Sequence, residues 1–173
     1  MKKVLIPAVF IIGGIFALAA VGQNFTCVGA QKCQICHRTE NQGQQYPIWE
    51  KSNHSKSFAA LNTPQAASAA QALGVKEPTN DPLCLKCHAP LFDKAPDLKA
   101  EGVSCEVCHG PGSEYKKLSI MKNKDEAVKN GLKPYANADA VKAWCLTCHE
   151  KAHGKSFDFA AAWDKIKHTI PAK

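Results

Sequence analysis

Cys105-Glu106-Val107-Cys108-His109 is the stretch that decides the fold, because its Cys-x-x-Cys-His spacing occurs four times in the chain. The other three copies are Cys33-Gln-Ile-Cys36-His37, Cys84-Leu-Lys-Cys87-His88 and Cys145-Leu-Thr-Cys148-His149. This spacing is the attachment signature of c-type haem. One helical turn separates the two thiols, so both can reach the vinyl groups on one porphyrin edge, and the histidine becomes the proximal iron ligand. Zinc ribbons also use Cys-x-x-Cys pairs, but they do not need a histidine after every pair. The sequence therefore predicts four covalent haems.

Residues 1–22 have the pattern of a secretory signal peptide, with two lysines ahead of a long apolar run. Cleavage between Ala19 and Gln23 leaves a single domain at residues 23–173. An uncleaved membrane anchor is the alternative, because about 18 apolar residues is the lower limit for spanning a bilayer. Pro7 weakens an anchor helix and favours cleavage. In either case c-type haem is attached outside the cytoplasmic membrane, so we expect a periplasmic or other extracytoplasmic location.

The domain is poor in large aliphatic residues. Between Gln23 and Lys173, Val, Ile, Leu and Phe account for 25 of 151 residues, and alanine for 21. A fraction of about 17% is below the level at which a chain looks disordered. Such a chain cannot bury enough apolar surface to offset the entropy of ordering. We therefore expect the haems to form the core and the apoprotein to be unfolded.

The formal net charge of +7 falls to +5 without the lysines of the leader. Eight haem propionates bring the balance to about −3 before the irons are counted, so the basic sequence does not indicate a nucleic-acid partner. The lysine-rich stretch 116–129 is either a solvated helical face or a docking surface for an acidic redox protein. Cys27, the ninth cysteine, is expected to be a free thiol near a mobile N-terminus; an intermolecular disulfide is the alternative in an oxidising compartment.

The pattern predicts a mainly α fold of short helices and loops wrapped around the haems, with little or no β structure. No run of alternating β-branched residues is bounded by turn pairs. Capping residues and apolar spacing predict five helices. They cover residues 47–61, 64–73 (capped by Thr63 and ended by Gly74), 125–130, a helix capped by Asp139 that runs into Cys145, and 157–168.

Three histidines remain as candidate distal ligands once the four proximal ones are assigned: His54, His153 and His168. His54 lies on the predicted helix over 47–61 and His168 ends the predicted helix over 157–168, and both helices are rich in aromatic residues. His153 comes four residues after a proximal histidine and just before Gly154, which is expected to end the helix. Four irons with two histidines each need four distal ligands, so the chain is one short. The sixth ligand of that iron is left open between nothing, water, Met121 and Tyr115.

Several segments resemble the c-554 type tetrahaem cytochromes, best known as electron acceptors of hydroxylamine oxidoreductase in ammonia oxidisers. They are residues 28–33, 49–54, 101–112 with Cys-His-Gly-Pro-Gly, and 163–168. The resemblance implies a mainly α fold with haems in stacked pairs. It also implies three irons with two histidines each and a five-coordinate, high-spin iron on His88. Many relatives have a histidine shortly after Cys-His-Gly-Pro-Gly, where this chain has Tyr115, so His153 is the candidate to replace it.

These features predict an exported electron carrier rather than an enzyme, working between redox protein partners that include membrane-bound donors or acceptors as candidates. The first alternative is a redox enzyme acting on nitric oxide, hydroxylamine or nitrite at the open iron. It would need acid and base groups beside that iron, and no such cluster is evident. The second alternative is a subunit of a cytochrome filament, whose irons normally all have two histidines. The sequence leaves the oligomeric state open.

Overall fold

A computed structural model describes residues 24–150, 154–169 and 171. The described residues contain helices and no strand, which confirms the mainly α prediction. The α-helices in chain order are α1 Ala30–His37, α2 Gln45–Lys51, α3 Pro64–Ala72, α4 Pro82–His88, α5 Cys105–His109, α6 Leu118–Met121, α7 Lys124–Lys129, α8 Ala138–His149 and α9 Phe159–Ile166. Short 3-10 helices cover Glu40–Gln42, Ala59–Asn62 and Pro96–Glu101. The predicted signal peptide and His153 lie outside the described residues. Within the described part, no helix has the length and hydropathy needed to cross a membrane.

Each of the four Cys-x-x-Cys-His motifs lies at the end of a helix. The helices α1, α4, α5 and α8 all have the motif histidine as their last residue. Within one helical turn the two thiols and the imidazole are therefore arranged in the same way four times. The expectation that the motifs sit on short helices is confirmed.

Helix α3 follows its predicted limits because local capping decides both ends. Thr63 precedes the helix, and its side-chain oxygen accepts a hydrogen bond from the backbone N–H of Ala66 at 3.2 Å. Gly74, with φ of 72°, follows the last turn in the left-handed conformation. The predicted helix 125–130 is also found, as α7, with Asn123 as its cap and Gly131 after its end.

The predicted helix over residues 47–61 is wrong, because α2 ends at Lys51. Serine side chains replace the helical pattern there by bonding to nearby carbonyls. Ser52 Oγ donates to Trp49 O at 2.6 Å, and Ser55 Oγ donates to Glu50 O at 2.8 Å. The chain then turns through 52–58.

The ends of α8 and α9 also differ from the prediction. Asn137, rather than Asp139, caps α8, and its side chain accepts a hydrogen bond from the N–H of Ala140 at 3.0 Å. Helix α9 begins after Asp158 and ends at Ile166, so it is shorter than 157–168. His168 consequently lies just beyond the helix.

Protein atoms alone make a thin core. In the described part of the chain the buried apolar cluster consists of Leu61, Leu85 and Ala89, with Phe58 and Phe92 packed against it. No large side chain among the described residues is fully buried. This agrees with the expectation, drawn from composition, that haem supplies much of the interior.

Candidate haem-binding sites

The first and third motifs meet through their first cysteines. Helices α1 and α5 contact each other. The thiols of Cys33 and Cys105 act on each other, which lowers the pKa of Cys33 and raises that of Cys105. Two attachment positions that are far apart in sequence are thus neighbours in the fold.

The second and fourth motifs meet in the same manner, since the Cys148 thiol acts on the thiol of Cys87. Burial is the main reason that the pKa of Cys87 rises to about 11. The third and fourth motifs are linked as well, because Cys145 and Cys148 contribute to raising the pKa of the buried Cys108, after burial itself. The motifs therefore follow the spatial order first, third, fourth, second.

Two of the predicted distal histidines each face a motif histidine. The ring centres of His54 and His149 are 6.0 Å apart, and those of His109 and His168 are 5.8 Å apart. Two metal–imidazole bonds of about 2.0–2.1 Å plus the two ring radii put the ring centres of two histidines on one metal about 6 to 6.5 Å apart. The His54–His149 separation lies in this range and the His109–His168 separation is about 0.2 Å below it, so both pairs are close to the separation that a shared iron requires.

Burial favours the neutral form of the His54 and His109 imidazoles, which is the form that ligates metals. Burial, followed by the neighbouring His149, lowers the pKa of His54. Burial also lowers the pKa of His109 to about 4, with His168 and His37 as further causes. The lone pairs of these rings are thus available at neutral pH.

The ring of His168 is oriented by its own backbone. Its Nδ1 lies 2.9 Å from Ile166 O, the last residue of α9. A carbonyl at Nδ1 selects the tautomer with the proton on that nitrogen and leaves Nε2 as the ligand. The early end of α9 therefore helps to aim this imidazole at His109.

Ser57 joins the second motif to the turn that carries His54. His88 Nδ1 lies 2.8 Å from Ser57 O, which orients the ring in the way just described. Ser57 Oγ lies 2.8 Å from His88 O and 2.7 Å from His54 O, and it accepts a hydrogen bond from Val103 N at 3.0 Å. Trp49 strengthens this junction by donating from Nε1 to Val103 O at 2.8 Å.

The structure brings none of the remaining candidate iron ligands, His153, Tyr115 and Met121, into a described pair with a motif histidine. His153 is outside the described residues, so its pairing with an iron stays a prediction. Tyr115 is buried and its hydroxyl donates to Gly110 O at 2.9 Å, which gives it a structural role beside the third motif. Met121 is the half-buried last residue of α6.

Sequence reasoning missed two carboxylates that hold the chain just before the first motif. Glu101 accepts a hydrogen bond from Ala30 N at 2.9 Å, and the buried Glu106 accepts from Val28 N and Gly29 N. Their partners are backbone amides, which leave no signal in the sequence. Cys27 lies in this hydrogen-bonded segment, where burial raises its pKa; the residues before 24 lie outside the described part, so a mobile terminus near Cys27 stays a prediction.

The residues present fit covalently bound haem. The thiols and imidazoles are arranged alike on four helix ends, two imidazole pairs are close to the separation that one iron needs, and the protein core is thin. Ser104 Oγ, directly before Cys105, is buried, and it is the buried side-chain oxygen without a hydrogen-bond partner among the described residues. A cofactor carboxylate at this point would give it an acceptor.

Comparisons with known proteins agree with this fit. The family model described as "Cytochrome c554 and c-prime" matches residues 32–110, which include the first three motifs. A curated protein of Nitrosomonas europaea named "Cytochrome c-554" is 25% identical over 182 residues, covering 92% of this chain and 74% of that protein. No solved structure matches the chain.

Proposed function

We propose that this chain, which belongs to the family of c-554 type cytochromes and is a haem electron-transfer protein, is exported as a tetrahaem electron carrier. The observation that carries the proposal is the pair of imidazole contacts, His54 with His149 and His109 with His168. These contacts support two irons with two histidines each. His37 and His88 are the proximal ligands of the other two, and His153 is the distal candidate for one of them.

Haem iron supplies one-electron chemistry when it is bound. The chain contributes the spacing of the attachment positions, their burial and the axial ligands. The spatial order of the motifs supports a relay with ends at the first and second motifs and the third and fourth between them. Entry and exit of electrons at opposite ends suit a carrier that docks with a redox donor and a redox acceptor.

An extracytoplasmic location follows from the proposal, because haem attachment takes place outside the cytoplasmic membrane. The partners are then redox proteins of that compartment or of the membrane that borders it. The alternative function, a redox enzyme, would in addition need acid and base groups beside an open iron.

Haem content tests the proposal directly. Intact mass of the purified protein should exceed that of the cleaved chain by four haems. Replacing Cys145 and Cys148 by alanine should remove one haem, while Cys27→Ser, the matched control, should keep all four. A protein that contains zinc, or fewer than three haems, would refute the proposal.

Low-temperature EPR of the oxidised protein then counts spin states. The histidine count predicts three low-spin irons and one high-spin iron. Four low-spin irons would show that a non-histidine group closes the fourth site.

A further inference from the structure

Glu106 is a buried charged residue that belongs to the third motif but does not attach the cofactor. It is 2% exposed. Its carboxylate accepts hydrogen bonds from Val28 N at 3.0 and 2.9 Å (one to each oxygen), from Gly29 N at 2.8 Å and from Gly112 N at 2.6 Å. All of these partners are backbone N–H groups, which donate to the carboxylate oxygens.

The backbone is shaped around this carboxylate by two glycines. A Cβ on Gly112 would lie 3.0 Å from Glu106 Oε1 and 3.3 Å from Val28 Cγ2. Gly29 has φ of +85°, and a Cβ there would lie 2.9 Å from Glu101 Oε1. Side chains at either position would push the amides away from the carboxylates.

The contacts of Glu106 join two elements that carry different motifs. Val28 and Gly29 directly precede α1, which holds the first motif, while Gly112 follows α5, which holds the third. The same two segments are joined once more, because Ser113 N donates to Thr26 O at 3.1 Å. The carboxylate therefore connects the start of α1 to the third motif and to the segment that follows it.

The charge of Glu106 also lies near both attachment positions. Glu106 directly follows Cys105 in sequence, and its negative charge acts on the thiol of Cys33. Its hydrogen-bond partners Val28, Gly29 and Gly112 all lie beside the first and third motifs.

We propose that Glu106 is a positioning residue for the haems on the first and third motifs: it fixes α1 against α5 and places a buried negative charge beside both haems. The inference rests on the proposed function, because it takes haem to be bound at both motifs. A nearby negative charge favours the more positive, oxidised iron. Two of the four reduction potentials are therefore held lower by Glu106 than they would be without it.

Three variants of the full-length, haem-loaded protein test this inference. Glu106→Gln removes the charge at nearly constant shape, Glu106→Asp keeps the charge but shortens the side chain, and Glu114→Gln removes a half-exposed charge from the same region as a matched control. Haem content is measured first in the unaltered protein. Zinc, or fewer than three haems, in the unaltered protein refutes the proposed function, whereas the outcomes below concern Glu106 alone.

Amide hydrogen exchange measures the strength of the hydrogen bonds to Glu106 without reference to activity. In Glu106→Gln and Glu106→Asp the amides of Val28, Gly29 and Gly112 should exchange about tenfold faster or more, as expected for loss of a hydrogen bond to a charged acceptor. Glu114→Gln should leave them unchanged. Potentiometric titration should show two steps moved to higher potential in Glu106→Gln, two unmoved, and all four unmoved in Glu106→Asp and Glu114→Gln.

Two results would overturn the inference. One is unchanged exchange at all three amides in a Glu106 variant that carries its full haem complement. The other is a Glu106→Gln protein in which no potential moves, or in which all four move equally. If Glu106→Gln does not mature, the exchange data of Glu106→Asp decide alone.

Discussion

Replacing His54 or His168 by alanine should change the spin state of one iron and leave the haem complement intact. Each imidazole faces a motif histidine with ring centres 6.0 or 5.8 Å apart, and an alanine side chain cannot reach a metal held between two such rings. One of three low-spin irons becomes high-spin in each variant, so the low-spin EPR signal falls by one third and the high-spin signal doubles. The two pairs share no residue, so the double variant should keep a single low-spin iron.

The assay is quantitative EPR of the oxidised proteins, with Lys165→Ala as a control on an exposed position of α9. Free imidazole added to either histidine variant should enter the space that the side chain has left and restore the low-spin signal. An unchanged spectrum in His54→Ala or His168→Ala would refute the pairing for that residue. Loss of haem instead of a change in spin state would show that the histidine acts in folding rather than as a ligand.

Three further outcomes are expected. Chains produced without haem attachment should show no cooperative unfolding and little helical circular dichroism, because the described residues form a thin core; a folded apoprotein contradicts this. One reduced iron should bind carbon monoxide in the unaltered protein, and two should bind it in His153→Ala. Neither protein should turn over nitric oxide or hydroxylamine at about 1 per second or more, the rate that would indicate an enzyme. Ser57→Ala should lower the free energy of unfolding by about 0.5–1.5 kcal/mol, because the hydrogen bonds of the Ser57 hydroxyl are lost while Val103 N keeps His54 O as an acceptor. The exposed Ser68→Ala should change it by less than about 0.5 kcal/mol, as denaturant titration will show.

Much of the local structure could be predicted because it depends on neighbours in sequence. The four motifs specify where haem is attached, and a cysteine pair with its histidine needs only one helical turn. Thr63 and Gly74 limit α3 through hydrogen bonds and a backbone conformation that involve the next few residues. The prediction of a helix over 47–61 was wrong, because serine side chains compete with the helical hydrogen bonds after Lys51.

The sequence also determined that distal histidines are scarce, since the chain has seven histidines and the four predicted haems would have eight axial positions. Only the tertiary structure decided which of them meet. His54 and His149, like His109 and His168, are distant in the chain and come together through the packing of turns and helices that no periodicity encodes. Aromatic neighbours indicated His54 and His168 as candidate distal ligands, but they did not indicate which motif histidine each one would face.

The role of Glu106 shows the same division most clearly. In sequence it is a variable position between Cys105 and Cys108, and a charged residue there is expected to be solvated. In the fold it is buried and bonds to Val28 N across 78 positions of chain. Backbone amides are present at every residue, so the sequence alone determined the attachment chemistry, while only the three-dimensional path of the chain decided which amides surround this carboxylate.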